Sequence, residues 1–152
     1  MCLRRIFSAL AVIVAMATTW TVVKAQSTDL NGTWDAVLSS GSSPREKERY
    51  TFTPGRTSDD GGVIFSNEEE SPGCTTDQGV WERTDTRTFI LTHGAFCDGD
   101  TTVKWREEIT LGPRGEGFSG RGVEERSDAL GTFFIRIYTL RGTRMHSEAP
   151  PP

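Results

Sequence analysis

Three residues interrupt apolar stripes and carry most of the chemistry this chain offers. Glu107 sits in the alternating run Val103, Trp105, Glu107, Ile109, Leu111; Arg136 stands among Phe134, Tyr138 and Leu140; His93 continues the face of Phe89 and Leu91. If those faces point inward, Glu107 is a carboxylate among apolar neighbours, and its pKa rises unless a cation meets it. Two readings follow. In one, Glu107 and Arg136 form a buried pair that fixes strand register. In the other, Glu107, Arg136 and His93 are the polar groups of a ligand cavity, with Trp105, Phe89, Tyr50 and Phe52 as its apolar lining. Small-molecule pockets are commonly built in that way, mostly apolar with a few placed polar groups.

Other motifs are weaker. Gly115-Glu116-Gly117-Phe118-Ser119-Gly120 matches G-x-G-x-x-G literally. A dinucleotide site needs such a loop to open a helix. The residues that follow, Arg121-Gly122-Val123-Glu124-Glu125-Arg126, are strand-like, so Gly120 and Gly122 are expected to let a strand bend sharply. There is no nucleophile elbow, HExxH or carboxylate-rich calcium loop. Asp98-Gly99-Asp100 and Glu68-Glu69-Glu70 read as solvated loops, and the sequon Asn31-Gly32-Thr33 as a tight turn before the first strand. The pattern calls for no cofactor.

The elements that must position these residues are strands. Turn signals recur along the chain, among them Ser43-Pro44, Pro54-Gly55, Asp60-Gly61-Gly62, Pro72-Gly73, Gly112-Pro113 and Asp128 to Gly131. Between them lie short runs rich in Thr, Val, Ile and aromatics, read as strands near 32–39, 46–53, 62–66, 78–84, 88–96, 101–111, 116–125 and 131–141. Val103 to Leu111 alternates with a period of two, and no stretch keeps a helical period. About eight antiparallel strands on short loops point to an all-β meander, closed into an up-and-down barrel to remove its edges. A two-sheet β-sandwich fits the same spacing.

The first 25 residues read as an export signal: Arg4 and Arg5, an apolar run from Ile6 to Ala17, and Val23-Lys24-Ala25 at cleavage spacing. Ile6 to Val23 also approaches the length of a membrane span, and Thr18, Thr19 and Thr21 weigh against that. Residues 26–145 are then one barrel domain and 146–152 a tail, in a secreted or periplasmic protein that leaves the membrane on cleavage. Of 152 residues, 17 are Lys or Arg and 21 Asp or Glu; without Arg4, Arg5 and Lys24 the basic count is 14 and the net charge −7. Such an acidic domain is poorly suited to nucleic acid.

Cys74 and Cys97 remain after the signal. A turn at Asp85-Thr86 pairs residues whose numbers sum to 171, as 74 and 97 do, so the two cysteines fall opposite one another. In an exported domain they are expected to form a disulfide. A metal site lacks ligands, since only His93 and His146 accompany them and no CxxC spacing occurs.

Asn31-Gly32-Thr33-Trp34 places a G-x-W on the first strand, and Gly142-Thr143-Arg144 closes the last. That pairing resembles the calycin superfamily, the lipocalin, fatty-acid-binding and avidin-like barrels. The resemblance implies that Trp34 packs across the barrel floor and that Arg144 covers it, a guanidinium over an indole face. Gly79-Val80-Trp81 and Phe118-Ser119-Gly120 add to the similarity, which is closest to a group of small exported barrels of unassigned function. The lipocalin outer helix has no counterpart after the last strand. The expectation is a barrel that binds a small apolar or amphipathic ligand in its interior. Two rivals stand beside it. One is a cyclase or isomerase with Glu107 as acid/base and Arg136 stabilising an anion. The other is a non-catalytic interaction barrel that dimerises through the apolar outer strip Phe133, Ile135 and Ile137.

Overall fold

Alternation of apolar and polar residues sorts each strand into an inner and an outer face, and eight such strands close on themselves. In the computed structural model, which describes residues 28–41, 45–56, 60–68 and 73–146, they are β1 (Gly32–Ser39), β2 (Glu46–Pro54), β3 (Gly61–Glu68), β4 (Asp77–Asp85), β5 (Thr88–Cys97), β6 (Thr101–Leu111), β7 (Gly117–Asp128) and β8 (Gly131–Arg144). Each pairs antiparallel with the next, and β8 returns to β1. The closed barrel excludes the sandwich and leaves no open sheet edge. The expected signal at 1–25 and the tail beyond His146 lie outside the described residues. No helix among the described residues is long and apolar enough to cross a membrane.

β6 shows how sequence sets the faces: Val103, Trp105, Glu107, Ile109 and Leu111 are all buried, while Arg106, Glu108 and Thr110 face out. The last two strands run further than their apolar pattern suggested, to Asp128 and Arg144. They continue through polar residues because each remains paired with its neighbour. The G-x-G-x-x-G segment runs from a turn into β7, not into a helix.

One end of the barrel is closed by packing. Trp34 is fully buried, donates from Nε1 to the Leu30 carbonyl at 2.9 Å, and lies 5.2 Å from Phe118. The β1–β8 register sets Arg144 opposite Trp34, and its guanidinium sits 4.3 Å from the indole centroid. Arg144 also donates to the carbonyls of Asp29, Asn31 and Gly115, so one side chain ties together the residues before β1 and the turn before β7. Gly32 makes room for this: its φ is +119°, and a Cβ there would stand 3.1 Å from the Arg144 guanidinium. Trp81 and Phe89, 5.8 Å apart, fill the neighbouring sector. Each such fully buried aromatic contributes roughly 1.5–3 kcal/mol through the water it sheds.

The other end carries the disulfide Cys74–Cys97, between cysteines 23 positions apart in sequence. The pairing is the expected one, but the hairpin that produces it is not. The turn is Thr86-Arg87, not Asp85-Thr86: Asp85 pairs with Thr88 and so holds the first turn position, where its carboxylate accepts from the Thr86 amide at 2.6 Å. A bulge between Arg83 and Asp85 shifts the rest of the ladder by one. A further offset before Asp77 brings Cys74 opposite Cys97. Reducing this bridge is expected to lower unfolding stability by about 3 kcal/mol, since it frees a loop of about two dozen residues. Urea unfolding with and without reductant checks this; equal midpoints would contradict it.

Candidate functional site

The inner wall near the disulfide end is polar. Glu48 on β2, Ser66 on β3, Asp77 on β4, His93 on β5 and Glu107 on β6 are all buried, and their side chains meet those of Tyr50 and Tyr138. Tyr138 Oη donates to Glu107 Oε1 at 2.5 Å. Tyr50 Oη lies 2.9 Å from the same carboxylate oxygen and 2.8 Å from Glu48 Oε2. Ser66 donates to Glu48 Oε1. His93 bonds through Nδ1 to Asp77, and its Nε2 stands 3.5 Å from Glu107 Oε2, a charge contact longer than a good hydrogen bond. Trp105 lies flat against the His93 ring, 5.4 Å between centroids, and Tyr50 meets that ring edge-on.

Proton counting decides the charges here. A phenol has one proton, so Tyr50 cannot donate to two bare carboxylates at once. Burial, together with the negative charge of Glu107, pushes the Glu48 carboxyl up to about 8. Protonated Glu48 donates to Tyr50, which donates to Glu107. Burial alone would lower the His93 pKa, but the bond to Asp77 and the nearby Glu107 carboxylate outweigh that and raise it to about 10. The imidazolium then sits between two acids. Both phenols are held neutral, first by burial and then by the Glu107 charge.

The approach of Tyr138 depends on a missing side chain. Gly122 lies opposite it on β7, and a Cβ there would stand 2.5 Å from the Tyr138 Cζ. Gly122 therefore gives the phenol the space from which it reaches Glu107.

Arg136 does not pair with Glu107. It donates to Glu46 Oε2 at 2.8 Å and bridges to Glu124, its cross-strand partner, which Arg126 also binds at 2.6 Å. The Glu46 bond, with the charges of both acids, raises the Arg136 pKa above its ordinary value against the effect of burial. The guanidinium lies 5.6 Å from the Tyr138 ring centroid, so the tyrosine separates this ion network from the Glu107 one.

A pocket of about 100 Å³ opens at this end, walled by Glu48, Ser66, Asp77, Ala95 and Trp105 beside the Cys74 to Thr76 segment. Of the residues expected to line a cavity, Trp105 reaches it. His93 and Glu107 stand behind the wall, Tyr50 and Phe52 stack on one another in the core, and Phe89 packs toward the closed end beneath the Arg83 guanidinium. Glu48, Ser66 and Asp77 escaped sequence reasoning, although Glu48, Tyr50 and Phe52 share one alternating inward face. Glu48, Asp77 and His93 each offer a ligand atom within 4.8 Å of the others, a set that counting only cysteines and histidines could not find.

No protein-family model matches this chain, and no curated protein matches it. Solved structures do. A protein named EF1p2_mFAP2b, bound to DFHBI, is similar over 76% of this chain and 94% of its own, with 15% identity and a TM-score of 0.59. The redesigned β-barrel b11L5F_LGL gives 16% identity and a TM-score of 0.55 over 77% of this chain and 92% of its own. The redesigned β-barrel mFAP1, bound to DFHBI, gives 16% and 0.54 over 76% and 94%. At these identities the likeness concerns the fold, a closed antiparallel β-barrel.

The phenol–carboxylate contacts generate a stability test. Tyr138→Phe removes one of the two phenols that donate to Glu107 Oε1, a hydrogen bond to a charged group, and is expected to cost about 1–3 kcal/mol. Gly122→Ala forces Tyr138 aside and is expected to cost a similar amount, with the double variant less destabilised than the sum because both act on one contact. Denaturant unfolding of the three variants measures this. Full additivity would show that Gly122 does not act through the Tyr138 hydroxyl.

Proposed function

We propose that this chain is an exported, calycin-like barrel that receives the polar head of a small amphipathic ligand in the pocket at its disulfide end. The observation that carries this reading is the wall of that pocket. Trp105 and Ala95 offer apolar surface there, beside the hydrogen-bonding groups of Glu48, Ser66 and Asp77. The rest of the interior is filled by Trp34, Trp81, Phe52, Phe89 and the two tyrosines, all almost fully buried. At about 100 Å³ the pocket is well below the roughly 300–1,000 Å³ of a site that encloses a drug-sized molecule. It suits a head group whose apolar remainder stays at the rim. Two of the similar barrels being bound to DFHBI supports small-ligand binding by a barrel of this shape.

Export is favoured by the basic, then apolar, leader and by a disulfide of the kind that persists in oxidising compartments. Binding is favoured over catalysis because Glu107 does not line the pocket and its Oε1 is taken by two phenols.

Native mass spectrometry of the gently purified protein is expected to show a non-covalent adduct on the order of a few hundred daltons, the size of ligand such pockets take. Denaturation should release it, and Trp105→Ala should lose it while keeping the barrel's circular dichroism. A bare wild-type mass would contradict the reading.

A second reading, compatible with the first, is self-association through β8. Phe133, Ile135 and Ile137 are 59%, 64% and 72% exposed on its outer face, an apolar strip larger than scattered surface residues account for. Sedimentation equilibrium is expected to show a dimer that Ile135→Lys dissociates. A wild-type monomer at high concentration would reject it.

A further inference from the structure

We propose that Glu48, Asp77 and His93 bind a divalent first-row transition ion at the inner wall of the pocket. The inference rests on that pocket being the binding site, and it names what a ligand's head would meet there. Three observations carry it. First, the three side chains come from three different strands, β2, β4 and β5, yet their ligand atoms lie within 4.8 Å of one another. Second, Asp77 is 6% exposed, lines the pocket, and its Oδ1 has no hydrogen-bond partner. A buried carboxylate oxygen without a donor is costly, and a cation would satisfy it. Third, a carboxylate stands behind His93, 3.5 Å from its Nε2, where a short closure on metal binding would make the hydrogen bond that backs metal-bound histidines. Its Nε2 faces Glu107 Oε2, and Glu107 is itself fixed by Tyr50 and Tyr138, which leaves Nδ1 toward Asp77, a residue of the pocket wall. Carboxylates behind a histidine set its tautomer and ring orientation in this way at metal centres.

The chemistry of the set selects the ion. One imidazole and two carboxylates suit zinc and its first-row neighbours, whereas calcium and magnesium prefer all-oxygen shells. Zinc bonds to such ligands at about 2.0–2.2 Å, so the three atoms must draw round the ion. The ion also parts His93 Nδ1 from Asp77, to which it is now hydrogen-bonded. The balance is simple: the ion takes the place of the proton held between His93 and Asp77 and of the proton on Glu48. Both leave to solvent, and nothing is oxidised or reduced. Coordination positions left over face the pocket, where water or a donor atom of a ligand can occupy them.

The test is zinc binding to the untagged, chelator-stripped full-length protein, by competition with a chromophoric chelator, with cobalt(II) absorption as a second readout. The expected result is one zinc per chain and a cobalt spectrum of nitrogen and oxygen coordination. Asp77→Asn is expected to weaken binding by more than about 100-fold, and Glu107→Gln by about 10–100-fold through loss of orientation. Circular dichroism confirms that each variant is folded; if Glu107→Gln is not, Glu48→Gln replaces it, with the expectation set for Asp77→Asn. No stoichiometric zinc or cobalt on the wild type would overturn the proposal. So would binding that survives Asp77→Asn but is lost in His146→Ala, since His146 and Glu116 form an exposed pair elsewhere. The two readings fail separately. An organic adduct in native mass spectra without metal binding removes the ion and keeps the ligand pocket, whereas zinc binding without an organic adduct does the reverse.

Discussion

A carboxylate turned into a closed barrel must find a partner or a proton, because water no longer reaches it. Glu48, Asp77, Glu107 and Glu124 are all inward and buried here. The polar interior follows from satisfying them. Arg136 and Arg126 take Glu124, His93 lies between Asp77 and Glu107, two phenols cap Glu107, and Glu48 keeps its proton. Even the glycine opposite Tyr138 belongs to this solution, since the phenol reaches its acid only over bare backbone.

The two ends of the barrel divide the work. At one, Trp34, Phe118 and Arg144 make an apolar floor closed by a cation over an indole, with the guanidinium donating to the carbonyls of Asp29, Asn31 and Gly115. At the other, the disulfide braces the segment before β4, so that Asp77 is held against His93 while its second oxygen stays unbonded.

Much of this was legible in the sequence, for a physical reason. Period-two alternation is local, so the inward placement of Trp105, Glu107 and His93 could be read from single strands. Which inward groups touch depends on register and closure, which are not local. Glu107 and Arg136 both break apolar stripes and invite pairing, but Glu124 is the residue directly across from Arg136 and takes it. Glu48 and Asp77 look like solvated acids in isolation; they become a cluster only when four neighbouring strands, β2 to β5, bring them beside His93. The hairpin turn could have been placed correctly from Asp85 alone, since aspartate favours the first turn position, where its carboxylate caps the chain. The bulge that follows leaves no such mark.

The measurement that bears most directly on this account is a high-resolution crystal structure of the protein taken from its native source without chelators or refolding. Glu48, Asp77 and Trp105 should be found facing non-protein density stronger than water, with density bonded to the Asp77 oxygen that lacks a donor. A pocket closed by a rearranged Trp105, or filled by water alone with Asp77 hydrogen-bonded through both oxygens, would contradict it.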